Sequence, residues 1–330
     1  MKNFLFVLLT IVFCIHFGVM TGHAEKITFK LGHIRNLKHP THQGALKFAA
    51  LVEKGTDSRI KVKVFPNSQL GGIQEMFTQV QTGDLKMVYG GINTFGFIDG
   101  GDAFEITAIP FLYRDYDHMR SSLLADFFKP VIADAEKKTG IKILNIAGDT
   151  TPRGLTASRS IRTPADFKGL KIRTAASEVV LRSMKKLGAL PQQIAFAELY
   201  MALKTGVVDA QENGVMVVAT KSLYEVQKFY MKTDYIRDVE TFYINPGFWK
   251  NLSKEDQKVL MDASEQAGAL VTELTQKKLQ EAYAQLKGKM TVITPPELKL
   301  DEVRKELEGL FNDWEGVKWP KGLLEKISAM

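Results

Sequence analysis

The chain has 330 residues, 45% of them hydrophobic and 25% charged, with only 11 prolines; that composition excludes a disordered or fibrous protein and is enough chain for two sizeable cores. The formal charge of +7 comes from 44 basic and 37 acidic side chains interspersed along the sequence, so no nucleic acid is expected, and attraction of an anionic solute, or no specific role, fits the surplus better. Cys14 is the single cysteine, which excludes a disulfide framework.

Lys2, the mostly apolar run from Phe4 to Val19, and the small residues around Ala24 read as a secretory signal peptide, residues 1–24, cleaved after Ala24. The apolar run is short for a membrane span and contains His16. Cys14 follows Phe13, where a lipoprotein cysteine needs a small residue. Cleavage leaves 330 − 24 = 306 residues with no cysteine and, once Lys2 is gone, a charge of +6.

Ile27 to Gly32 and Ile60 to Phe65 alternate with the period of a strand, and between them Ala45, Phe48, Ala49 and Val52 recur at helical spacing. Thr41 is the expected cap of that helix and Gly55 its end. A second helix carries Ile73, Met76, Phe77 and Val80 and stops at Gly83, before a strand near Leu85 to Tyr89. Strand, helix, strand, helix, strand implies right-handed crossovers and a largely parallel sheet. A helical region from about Asp117 to Lys138 leads to a strand in Ile141 to Gly148, after which Thr150 to Arg159 changes lobe. The second lobe repeats the theme, with a helix from Ser177 to Leu187, another from about Ala197 to Lys204, then Val207 to Ala210, and Phe242 to Asn245 as a return strand. From Ser253 to about Lys287 the chain lacks proline and opens on a capping Ser253; at ~1.5 Å per residue such a helix can span both lobes. Its one internal glycine, Gly268, is a place for a bend or for close packing. The expected division is a first lobe of residues 25–150 plus about 239–278 and a second of 151–238 plus about 279–330.

Chemistry concentrates between Gly169 and Gly214. In Leu170-Lys171-Ile172-Arg173-Thr174, apolar and basic residues alternate, so the arginine projects opposite the buried face, as a sheet edge would offer it to a cleft. A planar guanidinium fork matches a carboxylate bidentately, and Asn213, just after another strand, can complete the oxyanion's hydrogen bonds. His33, Gln69, Gly72, Gln74 and Asn93 fall at strand ends or helix starts, where free N–H groups attract anions, and are expected to rim the same cleft from the first lobe.

The blocks Lys30 to His33, Lys47 to Gly72, Ile109 to His118, Arg162 to Thr174, Phe196 to Asn213 and Tyr224 to Phe229 follow one another along nearly all of the chain after the leader. In order and spacing they resemble the dicarboxylate-binding P-subunits of tripartite ATP-independent periplasmic (TRAP) transporters. The resemblance implies a two-lobed α/β periplasmic solute-binding protein fold with a central cleft and a long helix spanning both lobes. It implies a periplasmic protein that captures a small organic acid, a C4-dicarboxylate or a sugar acid, and hands it to TRAP membrane subunits, with no cofactor, no metal and no catalysis, as a monomer. It gives Arg173 the grip on the solute carboxylate, Arg153 the place of a second solute-facing arginine, for which Arg159 and Arg162 compete, and Asn213 support of the same carboxylate. Ala210 and Gly214 depart from the family's usual Gly and Pro there. Phe196 stands where the family often packs a ring on the solute, with plain core as the alternative. Glu212 touches the site in members that bind through a metal; facing solvent or pairing with Arg153 is the alternative here. Tyr235 lies near where many members have a histidine.

His39 and His42 suggest a metal pair, but no third ligand follows at suitable spacing. A periplasmic hydrolase would need a nucleophile or a metal-bound water, and GxSxG and HExxH are missing. SxxK occurs at Ser58 to Lys61 and Ser183 to Lys186 without the accompanying SDN. A binding protein serving a sensor or an ATP-driven importer is the remaining alternative.

Overall fold

A computed structural model of the protein describes residues 26–330. The signal peptide read at residues 1–24 lies outside them. In chain order the strands are β1 (Ile27–Gly32), β2 (Ile60–Phe65), β3 (Met87–Gly91), β4 (Lys142–Ile143), β5 (Arg153–Ala157), β6 (Lys171–Thr174), β7 (Leu190–Gln193), β8 (Ala210–Gly214), β9 (Phe229–Ile236), β10 (Glu240–Ile244) and β11 (Thr291–Ile293). They form two sheets, β2-β1-β3-β10-β4 and β11-β9-β5-β8-β6-β7. In the first, β1 pairs parallel with β2 and β3 while β10 returns antiparallel beside β3; crossover helices make the parallel part and the return strand closes it. The chain passes between the sheets around residues 149 and 239, where Asp149 and Val239 form an antiparallel bridge.

Several boundaries differ from the sequence reading for local reasons. The first crossover helix, Pro40–Gly55, is capped by His39 and not by Thr41: the imidazole accepts from the Thr41 amide and Pro40, which has no N–H to satisfy, takes the first helical position. The region from Asp117 to Lys138 is two helices, Tyr116–Leu124 and Lys129–Thr139, the second opening on Pro130, which cannot continue a preceding helix. Of Ile141 to Gly148 only Lys142–Ile143 is strand, because Asn145 takes over the pairing with its side chain: Oδ1 accepts from Phe242 N at 3.1 Å and Nδ2 donates to Ser264 O at 3.0 Å. The second helix ends as read, on a left-handed Gly83 (φ 85°) that only glycine adopts without strain.

The long helix runs from Lys254 to Leu286, with Ser253 Oγ accepting from Asp256 N at 3.0 Å. Leu260, Ala263, Ala267 and Val271 on its first half pack with β1, β3 and the first crossover helix. Ala282 and Leu286 at its far end pack with Tyr230 and Val215 against the second sheet. One rigid element therefore buries apolar surface on both lobes. A Cβ on Gly268 would stand 2.5 Å from the Ala147 carbonyl oxygen, so this glycine is fixed by the close approach of the inter-lobe chain. The C-terminal Phe311, Trp319, Leu323 and Ile327 pack with Phe104, Phe128 and Met119.

Candidate functional site

A cleft of about 690 Å³ lies between the two sheets. Its walls come from the carboxyl ends of strands, where the chain leaves each sheet and backbone groups are free: Ile34 and Arg35 follow β1, Asn93 and Thr94 follow β3, Ala175 to Ser177 follow β6, and Glu212 and Asn213 end β8. The two sides meet at defined contacts. Asn36 Nδ2 donates to Thr220 O at 2.8 Å, and the Arg35 guanidinium lies 5.3 Å from the centre of the Phe196 ring. The buried Glu105 carboxylate accepts from Ser177 Oγ at 2.7 Å and from the Glu178 and Val179 amides at 3.0 and 3.1 Å, at the start of the helix Glu178–Lys186.

Arg173 reaches the cleft from β6, which lies between β8 and β7, so it stands inside the sheet and not at its edge. Ile172 faces the apolar core on one side of the sheet and Arg173, only 2% exposed, faces the cleft on the other. Its Nε donates to Ile194 O at 2.9 Å, which fixes the guanidinium plane and leaves both terminal nitrogens without a protein acceptor among the described residues. Burial, opposed by Glu212 and reinforced by Arg153 and Arg35, brings its pKa down to about 10; it is charged at neutral pH and makes no ion pair among the described residues.

The neighbouring arginines differ. Arg153, at the start of β5, donates through Nη2 to Glu212 Oε1 at 2.7 Å and to Glu212 O at 2.8 Å, and its Nε bonds Oε2. Burial disfavours the Arg153 charge, but this carboxylate outweighs it and holds the pKa above the ordinary value. Tyr235 OH donates to the same Glu212 oxygen at 3.0 Å. Arg35 Nε pairs with Glu240 Oε1 at 3.4 Å, an oxygen that also accepts from Thr41 Oγ1 at 2.9 Å. Among the described residues three arginines line the cleft, and Arg173 is the one without a carboxylate partner there.

Asn213 lies within β8, not after it, and is 2% exposed on the cleft wall. Phe196, Gly72, Gln74, Asn93 and Glu212 also line the cleft. Gln74 is tied by Nε2 to Phe97 O at 2.9 Å, and Asn93 by Nδ2 to Arg237 O at 3.1 Å, with its buried Oδ1 unpartnered. Glu212 is a buried partner of Arg153, the pairing alternative and not a solvent-facing one.

Three expected residues are elsewhere. His33 is fully buried behind the wall, its Nε2 3.1 Å from His42 Nδ1; burial, with His42 and Arg35 beside it, lowers its pKa to about 3, so it is neutral. Gln69 points to solvent from the turn before the helix Ile73–Thr82. Tyr235 is buried behind Glu212 and does not reach the cleft. Among the lining residues not read from the sequence are Arg35 and Asp238. Arg35 lies shortly after the end of β1 at Gly32, close to the strand end that selected His33. Asp238 lies over Gly91, accepting from the Asn93 and Val239 amides at 3.1 and 3.0 Å. Burial and the adjacent Glu240 raise its pKa to about 6.

Residues 31–315 match the DctP family, bacterial extracellular solute-binding protein, family 7. The chain is 34% identical over 242 residues to the 2,3-diketo-L-gulonate-binding periplasmic protein YiaO of Escherichia coli, covering 73% of each chain. It is 32% identical over 263 residues to the C4-dicarboxylate-binding periplasmic protein DctP of Rhodobacter capsulatus, covering 78% of each. A TRAP periplasmic solute-binding protein from Polaromonas sp. JS666, solved with bound D-erythronate, superposes with a TM-score of 0.85 at 28% identity, over 92% of this chain and 99% of that one. With a cleft between two α/β lobes, a long helix joining them and this sequence match, the chain belongs to the family 7 solute-binding proteins of TRAP transporters.

Proposed function

We propose that the protein binds one small monocarboxylate bearing hydroxyl groups, a sugar acid, and that Arg173 holds its carboxylate with Asn213 beside it. The observation that carries this reading is the unmatched Arg173 guanidinium in a wall where Arg153 and Arg35 already have carboxylate partners. One incoming carboxylate supplies the missing charge through charge-assisted hydrogen bonds. The carboxylates of Glu212 and Asp238 repel a second acid group and accept from hydroxyls. The relatives bind acids of both kinds: 2,3-diketo-L-gulonate and D-erythronate are sugar acids, and C4-dicarboxylates are the other class. Phe196 offers a ring to the solute's apolar edge.

A second reading, a C4-dicarboxylate, is favoured by Lys221, whose ammonium lies 4.4 Å from the centre of the Phe196 ring and has no carboxylate partner among the described residues. Calorimetry with D-erythronate and succinate separates the two: the first reading expects the hydroxy acid to bind more tightly, and tighter binding of succinate would replace it with the second. Arg173→Ala should abolish binding of either acid while the protein stays folded, because each charge-assisted hydrogen bond lost is worth about 1.5–3 kcal/mol.

The protein acts as a monomeric periplasmic carrier: the solute contacts both lobes, closure follows from those contacts, and TRAP membrane subunits receive the load. The lobes that move are residues 25–150 with about 239–278, and 151–238 with the chain after about 279, except that the C-terminal Phe311, Trp319, Leu323 and Ile327, expected with the second lobe, pack on the first. It transforms nothing and needs no metal. Among the described residues no group of three metal-ligating side chains gathers. Turnover of a bound acid, or loss of binding on chelation restored by calcium or zinc, would overturn these points.

A further inference from the structure

Behind the cleft wall, four buried polar side chains form a single directed hydrogen-bond chain. Thr156 on β5 stands opposite Gln211 on β8, and Gln211 in turn stands opposite Arg173 on β6. Gln227 Nε2 donates to Val226 O at 3.0 Å, and its Oε1 accepts from Thr156 Oγ1 at 2.9 Å. Thr156 Oγ1 accepts from Gln211 Nε2 at 3.0 Å, and Gln211 Oε1 accepts from Asn213 Nδ2 at 2.6 Å. Thr156 and Gln211 are 0% exposed, Asn213 2% and Gln227 4%.

The direction of this chain follows from its far end. A backbone carbonyl only accepts, so the nitrogen of the Gln227 amide must face Val226 O and its oxygen must face Thr156. The hydroxyl then spends its one proton on Gln227 and offers a lone pair to Gln211, whose oxygen is left for Asn213. Each amide along the way has one orientation that satisfies its neighbours, and a reversed amide would leave a buried group unpaired.

We propose that Gln227, Thr156 and Gln211 are positioning residues that fix which way the Asn213 amide is turned where the solute carboxylate meets Arg173. The proposal rests on the reading of Asn213 and Arg173 as the carboxylate site. None of the three touches the solute; they act by keeping the Asn213 nitrogen toward Gln211, so that its second N–H and its oxygen stand in one fixed arrangement beside the guanidinium. An amide free to turn would meet the carboxylate with its oxygen part of the time, and affinity would fall by the fraction of competent orientation lost.

The test uses the mature full chain with Thr156→Val, which keeps the side-chain shape and removes the hydroxyl, and Thr156→Ser, which restores it. Gln227→Met breaks the chain at its other end should the valine variant fold poorly. In solute-free protein labelled with ¹⁵N, the Asn213 NH2 pair should be two sharp, slowly exchanging resonances in wild type and Thr156→Ser, and exchange-broadened in Thr156→Val and Gln227→Met. With D-erythronate and succinate as probes, Thr156→Val should weaken whichever binds by roughly five- to tenfold, the worth of one neutral hydrogen bond, and Thr156→Ser by much less. In an Asn213→Ala background Thr156→Val should cost nothing further. An unchanged Asn213 signature in Thr156→Val, or an equal loss with and without Asn213, overturns the positioning role. Wild-type binding in Arg173→Ala would instead overturn the carboxylate site itself, whatever the amide signature.

Discussion

The two walls of the cleft manage charge differently. On the side of the first sheet, Arg35 is matched by Glu240, Glu240 by Thr41, and Asp238 by two backbone amides. On the side of the second sheet, Arg153 is locked to Glu212, but Arg173 beside it has only a carbonyl on its Nε. Leaving a buried charge unpaired costs stability, so at Arg173 the second wall holds a position where an incoming anion repairs a deficit. On the proposed function, this difference implies an order of events: the solute would engage the second wall through its carboxylate, and the first wall, already satisfied, would close over it through Arg35 and Asn36.

The largest test of this contrast is to convert the paired arginine into an unpaired one. Glu212→Gln keeps the shape and an acceptor for Tyr235 but removes the charge opposite Arg153. Breaking a buried pair from one side costs about 3–5 kcal/mol, so urea unfolding should register a drop of that order. If the contrast between the arginines sets the solute class, the variant should also gain relative affinity for succinate over D-erythronate. An unchanged preference would separate charge matching from selectivity.

Gly268→Ala is expected to have the next largest effect, through packing. Its Cβ would lie 2.5 Å from Ala147 O and 2.6 Å from Ala147 Cβ, and forcing extra volume into a packed contact costs about 1–3 kcal/mol. The melting temperature should fall while small-angle scattering records the same solute-induced closure as wild type. A changed closure with unchanged stability would restore a bending role for this glycine.

The smallest effect concerns pH. The Asp238 pKa is raised to about 6, whereas an unfolded aspartate titrates near about 3.9. Between those values the folded protein keeps a proton that the unfolded chain has released, so this group makes stability fall as pH rises from about 4 to about 6. Asp238→Asn should flatten the melting-temperature profile in that window. The full wild-type slope in the variant would show that other groups carry it, Asp149 first among them, since burial raises it to about 6 as well.

Periodicity made most of the fold legible. Strand alternation in β1 and β2 and the glycine stop at Gly83 were readable because each is a local property of the backbone. The long helix announced both its cap and its length. Cleft-lining positions were legible where one strand carried the signal, as at Arg173 and Asn213, and less so where a strand end had to be ranked against others. His33 and Arg35 both stand at the end of β1, yet only Arg35 reaches the cleft, because His33 turns inward to His42. Tyr235 and Glu212 show the same limit: one hydrogen bond between distant strands makes the tyrosine a support for the carboxylate and removes it from the cleft. Interior against edge for β6 was likewise set by β7, which pairs on its outer side.

The central claim is that a bidentate guanidinium at position 173, and not positive charge alone, captures the carboxylate. Calorimetry of Arg173→Lys with D-erythronate and succinate tests it most directly. Lysine preserves the charge but presents a point donor in place of the planar fork, so the account predicts binding weaker than wild type by at least about tenfold for whichever acid binds. Affinity equal to wild type in Arg173→Lys would contradict it.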